Sequence, residues 1–332
     1  MGLAPYGKPK YVNLIYDKLI NVKDDGSFRL NQEYFNYSTG LTMTNEKFNN
    51  IFGKEPRDSK KEKITVFHMD IASSIQKVTE DIMLKICKSL KNEYRINNLC
   101  LAGGVALNCV ANGKILKEKI FKNIWIQPAA GDAGGSLGAA LAYWYNELNQ
   151  IRESSEKDLM SGSYLGPSYT DEEIQQSLDK IGAKYKLFDE KSLIDKTAQD
   201  LSKGNAIGWF QGKMEFGPRA LGARSILGDP RSLSMQKNLN LKVKFRESFR
   251  PFAPSILFEN LQDWFDIKEP SPYMLLVSEI KKNKQIEMTE NEKKLFGIEK
   301  LSIKRSEIPA VTHVDYSARI QTVHKETNKK YY

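Results

Sequence analysis

Apolar residues recur early in the chain at Ile71, Ile75, Val78, Ile82, Ile86 and Leu90. That three- and four-residue spacing predicts one helix from Asp70 to about Lys91 carrying a continuous apolar stripe. A short run, Asn98 to Ala102, reads as a strand and stops at Gly103-Gly104; a second, Asn123 to Ile126, stops at Pro128 and leads into the glycine-rich Gly131 to Gly138. Helical patterns follow each glycine segment, near Val110 to Glu118 and Gly138 to Leu148. Strand, glycine turn and helix in repetition predict an α/β architecture with ligand-facing loops at the strand ends.

Beyond Leu148 the sequence turns polar and charged, so residues 151–163 read as a linker, with the domain break near Ser161. The second part opens on a Gly-Pro turn within Tyr164 to Ser168. Thr170 is then placed to cap a helix, with Glu173 completing a capping box. Ala206 to Phe210 reads as a strand ended by Gln211-Gly212, and the charge-dense run Lys281 to Lys294 as an exposed excursion. Thr312 to Val323 alternates polar and apolar positions like a half-buried strand, which would set His313, Asp315 and Arg319 on one face.

A chain of 332 residues, 40% hydrophobic and 27% charged, has room for two folded domains. No apolar run is long enough to span a bilayer, and Met1 to Lys10 lack the regions of a signal peptide, so a cytoplasmic protein with no membrane partner is expected. Cys87, Cys100 and Cys109 form no CxxC pair, which argues against a disulfide framework or a zinc knuckle. The formal charge of +9 is uneven: between Gln211 and Arg250 nine Lys or Arg face three acidic residues, a local balance of +6. Such concentration favours a defined anion site over a generally basic surface.

Two glycine segments, Ala102 to Asn108 and Gly131 to Gly138, could bring backbone amides close to a phosphate, or could be tight turns that let helices pack. Neither is a Walker A loop or a dinucleotide fingerprint. Asp132, between glycines, could cap the following helix or ligate a metal, although His68, His313 and His324 form no HxxxH or HExxH pair. The segment Trp209 to Arg231 carries Arg219 and Arg224, and Phe245 to Pro254 carries Arg246 and Arg250. Guanidinium groups set among Gly, Pro and Phe suit bidentate contact with phosphate oxygens. For His313, Asp315 and Arg319 a structural ion pair and a binding site fit equally well.

In order, Met1 to Gly7, Gly-Gly-Val-Ala-Leu-Asn, Gly-Asp-Ala-Gly-Gly, Phe-Gly-Pro-Arg-Ala-Leu-Gly-Ala-Arg-Ser-Ile-Leu, Phe-Arg-Pro-Phe-Ala-Pro and His-Val-Asp-Tyr-Ser-Ala-Arg-Ile-Gln-Thr-Val resemble the NodU-type O-carbamoyltransferases over nearly the whole chain. The resemblance implies that residues 1–150 are the second half of an actin-like (ASKHA) domain. It makes 164–332 a YrdC-like α/β domain, and both domains incomplete. The implied activity forms carbamoyl-adenylate from carbamoyl phosphate and ATP and passes the carbamoyl group to a hydroxyl acceptor.

By the same resemblance Arg219, Arg224, Arg246 and Arg250 would hold carbamoyl phosphate and the ATP phosphates, with Lys213 and Arg319 as neighbours. Gly103, Gly104 and Asn108 would contact the adenylate, with Gly134, Gly135, His313 and Asp315 lining the nucleotide cleft. Asp132 would be one ligand of a divalent metal such as Fe2+, and Mg2+ would accompany ATP. The family's other metal ligands, histidines of an HxxxH motif, are absent from this chain, which implies an upstream polypeptide as partner. Tyr316 stands where the family usually has glycine. Two other readings compete: a tRNA-modifying or RNA-binding YrdC-like protein, and an inactive fragment.

Overall fold

The computed structural model describes residues 1–332 except Ser154, Glu156 and Lys157, so the expected linker 151–163 lies in part outside the described residues. The chain is mixed α/β and divides into two units that interleave in sequence. Unit 1 comprises 1–99, 114–123 and 290–301; unit 2 comprises 100–113, 124–289 and 302–332.

In unit 1 the predicted helix runs further than its apolar stripe, Val66–Tyr94, and ends at Arg95 in the left-handed region (φ +54°). At its start the Thr65 backbone N–H donates to Nδ1 of His68 at 3.0 Å. Val78 and Ile82 bury against Ile15, Leu19 and Ile20, whereas Ile75 and Leu90 stay exposed, so only the middle of the stripe meets the core. Ile20 opens β1 (Ile20–Val22), which pairs antiparallel with β2 (Phe28–Leu30) across a turn containing Gly26 at φ +86°. Asp70, buried in the helix, accepts the Lys8 backbone N–H at 2.7 Å and pairs with Nζ of Lys10 at 2.7 Å, tying the first residues down.

The predicted strands appear as β3 (Asn98–Leu101) and β4 (Asn123–Ile126), which form a two-stranded sheet, and β5 (Ile207–Phe210). In unit 2, β5 pairs antiparallel with β6 (Arg224–Leu227), with Phe210 opposite Arg224. A second sheet orders β7 (Ser255–Leu257), β9 (Ser317–Val323) and β8 (Leu276–Glu279), with β9 central, parallel to β7 and antiparallel to β8. Ile320 and Val323 of β9 bury with Leu261, Phe265 and Ile280 in this unit. Among the described residues no helix is long and apolar enough to cross a membrane.

The charge-dense run contains a short helix, Glu290–Lys294, with no buried residue. Lys284 is anchored, over the Trp264 ring at 4.6 Å and 3.2 Å from Glu307. The capping box is present: Oγ1 of Thr170 accepts the Glu173 N–H at 3.2 Å, and Oε2 of Glu173 accepts the Thr170 N–H at 2.8 Å, opening the helix Asp171–Lys180. Thr170→Ala should cost about 1 kcal/mol of local stability. Faster hydrogen exchange at the amides of Asp171 to Ile174 is the expected readout; unchanged exchange there would contradict the cap.

Candidate functional site

Residues 211–223 join β5 to β6, and their backbone is held from several sides. Glu215 is buried, 7% exposed, and its Oε1 accepts the N–H groups of Leu221 (2.6 Å), Ala223 (2.8 Å) and Arg224 (3.3 Å). The Leu221 carbonyl accepts the Tyr164 hydroxyl at 2.7 Å and Nε2 of Gln321 at 2.8 Å. Nε2 of Gln211 donates to the Gly222 carbonyl at 3.1 Å, and the Gly222 N–H donates to Oγ of Ser225 at 2.9 Å. Gly217 (φ +122°) and Gly222 (φ +108°) take backbone conformations that side chains resist. With the backbone groups of Leu221, Gly222 and Ala223 bonded in this way, the loop presents its side chains from a fixed frame.

Arg219 leaves this loop and donates through Nη2 to the carbonyl of Leu107, at 3.3 Å, so the arginine motif touches the first glycine segment. The Nε atoms of Arg219 and of Arg319, on β9, are buried and have no hydrogen-bond partner among the described residues. Burial, then repulsion from Arg219, pushes Arg319 down to about 10; nearby Cys109 opposes this and Arg246 adds to it. Arg246 is itself lowered, by burial first and Arg250 second. Its Nε donates to Oδ1 of Asn240 at 2.6 Å and its guanidinium lies over Phe252, 4.9 Å from the centroid. Burial raises the Cys109 thiol, against the fields of Arg319 and Arg219. Among the described residues no carboxylate pairs with Arg219 or Arg319. Neighbouring, desolvated cations with unused donors are unfavourable until an anion meets them, and planar guanidinium donors are chemically suited to phosphate-like oxygens.

Other predicted residues sit differently. Arg224 spends its donors on backbone: Nη1 on the carbonyls of Gln211 (2.8 Å) and Ala223 (2.9 Å), Nη2 on those of Gly212 (3.2 Å) and Pro167 (3.3 Å). Its guanidinium also stacks 3.4 Å from the Phe210 centroid, so Arg224 closes the hairpin and does not join the cluster. Arg250 is exposed and paired with Glu247 at 2.9 Å; Lys213 is exposed.

The two glycine segments meet where the Gly103 N–H donates to the Ala130 carbonyl at 2.8 Å. Gly103, at φ +93°, Gly104 and Gly135 have open space where a Cβ would stand. A Cβ on Gly134 would overlap the Ala129 carbonyl, so Gly134 serves close packing. Asn108 caps the helix Cys109–Lys117, its Oδ1 accepting the Ala111 N–H at 3.2 Å. The open backbone of Gly103 and Gly104 lies in the segment whose Leu107 carbonyl Arg219 contacts, and it leaves main-chain groups approachable there.

Asp132 is exposed at the start of the helix Ala133–Ala142 and makes no side-chain cap bond. Among the described residues there is no group of three or more His, Cys, Asp or Glu side chains able to hold a metal. The residues present therefore do not fit a metal centre at Asp132 on their own.

The expectation of one strand from Thr312 to Val323 is corrected. The strand begins at Ser317, and His313 to Tyr316 form a turn closed by the His313 N–H on the Ser317 carbonyl at 2.8 Å. The cause is Tyr316, left-handed at φ +63°, the conformation glycine adopts most readily. Its hydroxyl anchors the ring to the Ile286 carbonyl at 3.1 Å. Asp315 turns back on its own segment, Oδ1 accepting the Ser317 N–H at 3.1 Å and the Ser317 hydroxyl at 2.6 Å, so it does not share a strand face with Arg319. Arg305, fully buried, donates to the carbonyls of Ile303 (3.0 Å), Thr312 (2.9 Å) and His313 (3.1 Å) and supports the turn. Sequence reasoning passed over Arg305, Glu215, Gln321 and Tyr164. Only Glu215, an acid inside a basic motif, carried a visible signal.

Residues 1–141 match the family model described as carbamoyltransferase N-terminus, and 198–332 the one described as carbamoyltransferase C-terminus. An uncharacterized protein of Synechocystis is 58% identical over 334 residues, covering 100% of this chain and 54% of that protein. Nodulation protein NolNO of Sinorhizobium fredii is 34% identical over 336 residues, covering 100% of this chain and 44% of its own length. For nodulation protein NolO of Bradyrhizobium diazoefficiens the figures are 32% over 336 residues, 100% and 55%. The chain spans about half the length of these curated relatives.

Burial holds His313 below the ordinary 6.5, with Arg305 and Arg319 pressing the same way and Asp315 opposing them. Between its folded pKa and about 6.5 the unfolded chain binds the extra proton more readily, so this residue's contribution to stability is present above about 6.5 and is lost as pH falls. His313→Gln should therefore flatten the fall of the urea midpoint between about pH 7 and pH 5. Equal slopes for parent and variant would contradict the burial of a neutral His313.

Proposed function

Because the chain belongs to the carbamoyltransferase family, we propose that it serves O-carbamoyl transfer: water releases carbamate and phosphate from carbamoyl phosphate, the carbamate oxygen displaces pyrophosphate from ATP to give carbamoyl-adenylate, and a substrate hydroxyl then takes the carbamoyl group and releases AMP. The observation that carries this reading is the pair of buried, unpartnered Nε donors on Arg219 and Arg319, with Arg246 beside them and no carboxylate among their partners. Adenylation builds negative charge on phosphoryl oxygens, and fixed guanidinium donors in a desolvated site stabilise that charge without reorganising.

In this reading Arg219, Arg319 and Arg246 receive the phosphate of carbamoyl phosphate. Gly103 and Gly104 admit the nucleotide, whose phosphates bring Mg2+ with them. Arg224 shapes the loop, and Arg250 and Lys213 lie at the rim. The nodulation relatives support the transferase class through the shared family. On the same reading residues 1–150 belong to an actin-like domain and 164–332 to a YrdC-like domain. A metal at Asp132 has too few ligands among the described residues, and the proposed chemistry does not pass through it.

Calorimetric titration with carbamoyl phosphate tests the reading. Arg219→Ala and Arg319→Ala should each weaken binding by about 1.5 to 3 kcal/mol, roughly 10- to 150-fold, the range for a charge-assisted contact. Mass spectrometry after addition of ATP should show carbamoyl-adenylate with the parent and not with either variant. Unchanged affinity in both variants, with circular dichroism showing the fold intact, would remove the assignment.

A further inference from the structure

The backbone of Leu221 is gripped on both sides, through the peptide that precedes it and the peptide that follows it. Its N–H goes to the Glu215 carboxylate at 2.6 Å and its carbonyl to Nε2 of Gln321 at 2.8 Å. Gln321 lies two residues from Arg319 on β9, and alternation along a strand puts the two side chains on the same face. Leu221 lies two residues from Arg219 in the loop. One residue, through its two adjoining peptides, therefore links the segment that carries Arg219 to the strand that carries Arg319. Both ends of the link are buried, Glu215 at 7% exposure and Gln321 at 3%.

Glu215 pairs with no arginine of its own motif. Its Oε1 is taken by three backbone N–H groups, so the carboxylate organises the loop from behind and leaves the guanidinium charge in front uncompensated. An acid placed to neutralise Arg219 would abolish an anion site. From this arrangement we infer that Glu215 and Gln321 are positioning residues that form a brace through Leu221, setting the spacing of Arg219 and Arg319 for one shared oxyanion ligand. The inference rests on the phosphate-binding reading above and adds what makes two separately anchored cations act together.

Gln321→Ala is the informative variant, because the Leu221 carbonyl keeps its bond from the Tyr164 hydroxyl while the tie to β9 is lost. Carbamoyl phosphate should bind at least 10-fold more weakly to Gln321→Ala and to Glu215→Ala, with the thermal midpoint of Gln321→Ala close to the parent's. Glu215→Gln, which keeps an oxygen acceptor, should recover binding to within about 3-fold of the parent. Hydrogen exchange at the amides of Leu221, Ala223 and Arg224 should accelerate in Glu215→Ala and return toward the parent rate in Glu215→Gln.

If Glu215→Ala does not fold, Glu215→Asp takes its place, keeping the charge and shortening its reach. Parent-like affinity in a folded Gln321→Ala, or parent-like exchange at those three amides in the Glu215 variant, overturns the brace. A parent chain that binds no carbamoyl phosphate overturns the phosphate reading instead, and the exchange measurement then still decides whether Glu215 holds the loop.

Discussion

Arg219 stands close enough to Arg319 to help burial push that guanidinium's pKa down, and the Nε donors of both are buried with no hydrogen-bond partner among the described residues. Such an arrangement is unfavourable in isolation and persists only if the surrounding structure fixes both side chains. Much of unit 2 can be understood as that fixing. The β5–β6 hairpin supplies the loop, Glu215 and Gln211 occupy its backbone groups, and β9 is paired on both sides, by β7 and β8, which fixes the backbone that carries Arg319.

The glycine segments belong to the same constraint. Arg219 reaches the Leu107 carbonyl, and Asn112, fully buried, donates to the carbonyls of Ala106 (2.7 Å) and Leu275 (3.1 Å). The open backbone at Gly103 and Gly104 thus stands on a frame tied both to the arginine loop and to the chain entering β8. Gly113, whose Cβ would strike the Val277 carbonyl, allows the helix and that strand to approach closely. Small residues here serve two ends, close packing at Gly113 and Gly134 and an open surface at Gly103, Gly104 and Gly135.

What the sequence made legible was local. The strands at 98, 123 and 207, the long helix and the Thr170 cap follow from periodicity and capping chemistry over a few residues. The turn at His313 to Tyr316 was hidden by the polar and apolar alternation that runs through it, its one sign being that Tyr316 stands where glycine is usual; the hydroxyl bond at Ile286 stabilises the left-handed backbone from a distance. Arg219 and Arg224 look equivalent in the motif, and only the tertiary partners separate a guanidinium with a free Nε from one saturated by carbonyls. The return of Glu290–Leu301 to unit 1 depends on contacts across most of the chain, which no local pattern records.

The central claim is that the unpartnered donors of Arg219 and Arg319 form one anion receptor. It is tested most directly by 1H–15N spectra of arginine Nε–H groups during titration with carbamoyl phosphate, assigned through Arg219→Lys and Arg319→Lys. The account predicts that the Arg219 and Arg319 signals move together and saturate at one ligand concentration while Arg224 stays still. Movement confined to exposed Arg231 or Arg250, or no saturable shift at Arg219 and Arg319, would contradict it.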